Sequence, residues 1–247
     1  MIALKGDESL SGKITYNSNN QNAIKARDLR SNHPIQVRLQ KEIQDINYKK
    51  YRFEVKRGEK TPGHRVISNE DAGLVLLALD LGEPWSCHQR YRIMDDSHSR
   101  IFGRPIVDGY RILVMHELFN SSSTCLANID DRNFAGYNLT KYFLAFAVSE
   151  IIKSNKKGKG IWRDFKSLFI QGNLDNFVTI FSSISETTAL DLNANVEELN
   201  DVGDFDYKAE LKSANWCRSQ ARQLVASYQK DVKRKKADSL DKLLKDF

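Results

Sequence analysis

Proline and glycine are scarce in this sequence, at four and thirteen of 247 residues. A turn-rich β-sandwich uses more of both, so the scarcity favours long helices. Cysteine is scarcer still, and Cys87, Cys125 and Cys217 are odd in number and widely spaced. That excludes a disulfide framework and leaves reduced, partly buried thiols as the expectation. No apolar run approaches the ~20 residues of a membrane-spanning helix. The best, Tyr142 to Ile152, is short and interrupted by Ser149 and Glu150. The opening residues, Met1-Ile-Ala-Leu-Lys-Gly-Asp-Glu, have no basic stretch leading into an apolar one, so no signal peptide is expected. A cytoplasmic protein without a membrane partner follows as the expectation.

Patterns that carry chemistry are also thin. His33, His64, His88, His98 and His116 show no HxxxH or CxxC spacing, and the adjacent Cys87 and His88 suit no tetrahedral site. No metal and no cofactor is expected. Gly158-Lys-Gly160 lacks the preceding strand and the spacing of a phosphate-binding loop. Asp95, Asp96 and His98 read as a polar cluster flanking a helix rather than an acid–base pair.

What is present is ordinary globular material: 40% hydrophobic, 28% charged, mean hydropathy -0.53. The length suits one large domain or two small ones. Ile35, Leu39 and Ile43 recur every four residues, which predicts an amphipathic helix from Pro34 to Ile46, with Pro34 in its first turn. Tyr51-Arg-Phe-Glu-Val-Lys alternates as a half-buried strand does. Ser68-Asn-Glu-Asp71 has capping-box spacing ahead of the apolar run Ala72 to Leu81, which Gly82 and Pro84 end. Core helices are predicted over Tyr110–Phe119, Leu139–Ile152 and Leu174–Ile184, with a solvated basic loop over 153–160. Asp191 to Asp206 reads as an acidic linker. Ala214, Cys217, Ala221, Leu224 and Tyr228 mark an amphipathic C-terminal helix, and Leu240, Leu243, Leu244 and Phe247 a short final one. The expected fold is mainly α with a small β element near the N-terminus, a helical domain followed by long C-terminal helices. Its segments are a basic 1–67, a helical core 68–185, an acidic linker 186–210 and amphipathic helices over 211–247.

The net charge of +6 is unevenly spread. Residues 21–67 carry twelve Lys/Arg against five Asp/Glu; residues 186–210 carry eight acids and one Lys. Residues 211–247 return to ten basic against four acidic side chains. Two basic ends around an acidic segment suggest an electrostatic face at each end. In the first block Lys25, Arg27, Arg30, Arg38, Lys56 and Arg57 form a candidate surface for a phosphate backbone, DNA or RNA. Tyr48, Tyr51 and Phe53 are expected to be available for base stacking. Glu54 and Lys56, two apart on the predicted strand, also match the acid–Lys pair of metal-dependent nucleases. Such sites need a further carboxylate, for which Asp45 is the nearby candidate. A three-residue match is common by chance, so an exposed strand face is the better reading and no complete catalytic site is expected.

The stretch Asn17 to Gln36 resembles a signature of the AIPR family of bacterial abortive-infection, phage-resistance proteins. The matching residues are Asn20, Gln21, Asn22, Arg27, Asp28, Ser31, Asn32, Pro34 and Gln36, with His33 where an acid is usual. Tyr51-Arg-Phe-Glu-Val-Lys-Arg-Gly-Glu59 is similar to the family's aromatic-Glu-x-Lys-Arg-Gly-Glu strand. Glu83-Pro-Trp-Ser-Cys-His88, with Trp85 and His88, and Ser99-Arg-Ile-Phe102 continue the likeness, which covers roughly residues 14–120. The resemblance implies a component of phage defence. Family members are usually about twice as long, so a truncated or split protein is expected, with any family catalysis carried upstream. Two readings follow: a nucleic-acid-binding or sensing module acting through the basic N-terminal face, and a protein-interaction subunit completing a longer defence protein. The second rests on the C-terminal apolar stripe, which needs a partner surface.

Overall fold

The structure is a computed structural model that describes residues 30–56, 62–203 and 205–247. Helix α1 spans Pro34–Ile46. His33 precedes it in extended conformation, its Nδ1 accepting from the Ile35 amide, and Pro34 fills the first turn, where a missing N–H costs nothing. Asn47 closes it in the left-handed region.

Strand β1, Tyr51–Glu54, pairs in parallel with β2, Arg65–Ser68, with Tyr51 opposite Arg65 and Phe53 opposite Ile67. Tyr51, Phe53 and Val55 are buried and the residues between them less so, as the alternation predicts. The second strand, a short segment after Thr61-Pro62-Gly63, was not legible from periodicity.

Helix α2, Asn69–Val75, begins on the predicted cap: Ser68 Oγ accepts from the Asp71 amide. It widens into a π-turn over Leu76–Asp80. After two single-turn segments, Pro84–His88 and Arg90–Met94, come α3 (His98–Phe102) and α4 (Gly109–Thr124). Helices α5 (Arg132–Gly136), α6 (Asn138–Lys153), α7 (Lys156–Arg163) and α8 (Phe165–Ile170) follow. The chain ends with α9 (Leu174–Val202), α10 (Tyr207–Glu210), α11 (Ala214–Lys233) and α12 (Leu240–Leu243). The fold is mainly α, with one two-stranded sheet among the described residues.

Two helices form the centre. Helix α4 packs against α1, α6, α8 and α9, and α6 packs also against α7 and α11. Both are buried on most of their circumference, as helices covered on several sides must be. All three cysteines are free and buried in this core. No helix of the described residues is long and apolar enough to cross a membrane.

Two sequence expectations are corrected. The segment expected as a linker from Asp191 to Asp206 is helical as far as Val202, because Leu192 and Val196 extend the buried stripe of Ile184, Thr188 and Ala189. Glu186, Glu197, Glu198 and Asp201 occupy the exposed side, so acidic composition marked a helix face rather than a loop. The basic stretch 153–160 is not a loop either: Asn155 caps α7 by accepting from the Lys157 and Gly158 amides, and Trp162 anchors it. Gly158 lets the helix approach α6, since a Cβ there would lie 2.0 Å from the Ile152 carbonyl oxygen.

The C-terminal stripe meets its cover within the chain. Cys217, Ala221, Leu224 and Tyr228 are buried, with α11 lying on α6 and α9.

Candidate functional site

The basic N-terminal segment is only partly described: Lys25, Arg27 and Arg57, with the motif residues Asn20, Gln21, Asn22 and Asp28, lie outside the described residues. Of the rest, Arg38 is a latch as well as a surface cation. Its guanidinium donates to Glu42 at 2.9 Å and to the Val107 carbonyl at 3.0 Å. Glu42 in turn accepts from the Gly109 amide at 2.8 Å, which ties α1 to the start of α4. Arg30 is half-buried, while Lys41, Lys50 and Lys56 are exposed and make no ion pair among the described residues.

Lys49 is held differently. Asn47, Lys49 and Lys50 all take positive φ, 49°, 44° and 58°, a run of left-handed backbone that non-glycine residues adopt only at a cost. The bend aims Lys49 Nζ at Glu117 (2.8 Å) and Asp175 (3.0 Å). Glu117, on α4, also accepts from the Tyr51 hydroxyl at 2.5 Å, and the Arg65 guanidinium lies 4.0 Å away. Burial raises the Tyr51 pKa and the Glu117 charge raises it further. Burial acts to lower that of Lys49, but hydrogen bonds to Glu117, Tyr48 and Asp175 outweigh it and the net shift is upward. Tyr51 thus stays neutral and Lys49 charged: the cluster locks sheet, bend and helices together. Glu117 and Asp175 draw Lys49 and Arg65 out of the basic surplus, which local charge counting did not foresee. The polar pair His116-Glu117 inside the apolar run of α4 was the available signal.

The stacking expectation fails for two of its three aromatics. Tyr51 and Phe53 are each 2% exposed, because both point to the core side of β1. Tyr48 is half-buried, donates to Asp175 at 3.0 Å and packs edge-on to Phe169. Glu54 is half-buried, Lys56 exposed, and Asp45 exposed on α1. Among the described residues no group of three or more His, Cys, Asp or Glu is placed to hold a metal ion.

The remaining motif residues join separate segments. Gln36, fully buried, places its amide nitrogen 3.0 Å from His98 Nε2, leaving His98 Nδ1 and Gln36 Oε1 without partners. His33 packs edge-on against His98, with ring centroids 4.7 Å apart. Burial, helped by His33 and Arg30, lowers the His98 pKa to about 4, so the ring is neutral. Asn32 is exposed. Glu83 receives both terminal nitrogens of Arg100, at 2.8 and 2.7 Å, clipping the Glu83–His88 motif to the Ser99–Phe102 motif. Trp85 is half-buried beneath the Arg218 guanidinium, 4.7 Å from the ring centroid, and the exposed His88 donates from Nδ1 to the Trp85 carbonyl at 2.7 Å. Asp96 pairs with Arg92, away from His98.

The family model described as AIPR protein matches residues 1–191, more than three quarters of the chain. The chain belongs to the AIPR family. Membership sets its context as abortive infection in phage defence. No curated protein and no solved structure matches the chain. The AIPR match runs well past residue 120, where motif resemblance stopped, and takes in α4, α6 and the first part of α9. Helix α11, with Arg218 and Arg222, lies beyond it.

Proposed function

We propose that this AIPR protein is a nucleic-acid-binding module of a cytoplasmic phage-defence system, engaging the phosphate backbone through its basic N-terminal segment. The observation that carries the reading is the surplus of twelve Lys/Arg over five Asp/Glu in residues 21–67. Lys41, Lys50 and Lys56 remain exposed and unpaired among the described residues. With Tyr51 and Phe53 in the core, contact rests on charge, so binding has little sequence preference.

The test is fluorescence anisotropy with labelled single- and double-stranded DNA and RNA across a salt series. Affinity should fall linearly on a log–log plot, with the slope reduced by about one for each phosphate contact removed. Arg30→Ala, Lys56→Ala and Arg57→Ala should each weaken binding to all sequences alike. No binding at low salt would remove the proposal.

A further inference from the structure

A cleft of about 610 Å³ opens between the end of the π-turn, α6, α7 and α11, and it shares no residue with the basic N-terminal segment. Leu81, Phe146 and Val225 give it an apolar floor; Lys159, Arg218 and Arg222 stand around it. Arg218 and Arg222 are one turn apart on α11, a spacing at which like charges repel. Little nearby offsets them. The acid in the lining, Glu150, is paired with Lys153 at 2.5 Å. Glu83 feels the Arg218 charge, but both its oxygens are held by Arg100. Arg218 is also braced, lying 4.7 Å over the Trp85 ring. Lys159 and Arg222 are exposed and have no ion pair among the described residues.

Three cations in the lining of a cleft that also has an apolar wall suit a ligand with a concentrated negative charge at one end and an apolar body at the other. The volume lies within the roughly 300–1,000 Å³ of small-molecule sites, and guanidinium groups bind phosphate through paired donors. We propose that this cleft binds a phosphorylated nucleoside, its phosphates on Lys159, Arg218 and Arg222 and its base against Phe146, Leu81 and Val225. The occupant is either a free nucleotide or the 5′-phosphorylated end of a strand, which share this chemistry.

Isothermal titration of the full chain at low salt tests it, with ATP, inorganic phosphate and short oligonucleotides bearing a 5′-phosphate or a 5′-hydroxyl. ATP should bind saturably and at least tenfold more tightly than phosphate. Arg222→Glu and Lys159→Glu should each weaken ATP at least tenfold, while Lys230→Glu, exposed on the same helix outside the cleft, should not. All three positions are exposed, and unchanged melting temperatures verify the folds; Arg222→Gln replaces any variant that melts early. Displacement of ATP by the 5′-phosphorylated strand alone identifies a strand end, and displacement by neither strand a free nucleotide. Equal displacement by both strands would mean backbone binding and overturn the assignment. So would absence of saturable ATP binding, ATP no tighter than phosphate, or indifference to Arg222→Glu and Lys159→Glu.

Discussion

Tyr51 on β1 donates its hydroxyl proton to Glu117 on α4 across 2.5 Å, and so ties the edge of the small sheet to the central helix. Tyr51→Phe keeps the ring packing and removes one donor from a nearly buried carboxylate. A hydrogen bond to a charged group contributes about 1.5–3 kcal/mol, and a loss in that range is expected from urea denaturation. The same bond has an alkaline signature. The folded-state pKa of Tyr51 lies above its ordinary 10.0, first through burial and then through Glu117. Above pH 10 the unfolded chain therefore loses this proton first, so stability present below that pH declines as pH rises. Tyr228, raised by burial to about 12, adds to the decline. Tyr51→Phe should flatten it.

On the acid side His98 dominates. Its pKa is depressed from 6.5 to about 4, mainly by burial. The unfolded chain takes up this proton below about pH 6.5 and the folded one does not, so stability is lost as pH falls toward 4. The loss is on the order of 3 kcal/mol. His116, also depressed by burial, acts in the same direction. Denaturation midpoints of His98→Gln measured between pH 7 and pH 4 should fall less steeply than those of the natural protein.

Two glycines of α7 should respond oppositely to alanine. At Gly158 a Cβ would sit 2.0 Å from the Ile152 carbonyl oxygen, a backbone atom that cannot swing aside. Gly158→Ala should cost about 1–3 kcal/mol. At Gly160 a Cβ meets nothing within 4 Å, and Gly160→Ala should stabilise by up to about 1 kcal/mol through helix propensity. Thermal melts of the two variants side by side check both signs.

Asp80 serves two guanidinium groups, Arg104 at 2.7 Å and the 3%-exposed Arg111 at 3.4 Å. Arg111 also donates to the Trp162 carbonyl, at 2.6 and 3.1 Å, and so positions α7 on α4. Asp80→Asn leaves Arg111 buried without its counter-charge and should cost about 3–5 kcal/mol in chemical denaturation. Adding Arg111→Met to that variant should restore part of the loss.

Local chemistry was enough for much of this fold. Pro34 and the four-residue spacing of Ile35, Leu39 and Ile43 located α1, and Ser68 with Asp71 located the start of α2. Buried thiols followed from cysteine spacing, and the AIPR family from the motifs around Gln36 and Glu54. These features depend on neighbours within a turn or two, or on residue identity itself, so they can be read along the chain. Tertiary structure alone decided whether the acidic residues after Glu186 form a loop or one face of a helix, since Leu192 and Val196 count as buried only once α9 has a partner. It alone set Lys49 on Glu117 and Asp175, 68 and 126 residues away. The cleft shows the same limit: Lys159, Arg218 and Arg222 acquire a shared purpose only when α11 folds back over α6. Charge and periodicity are local sums, whereas pairing, burial and concavity are made between segments that the sequence keeps apart.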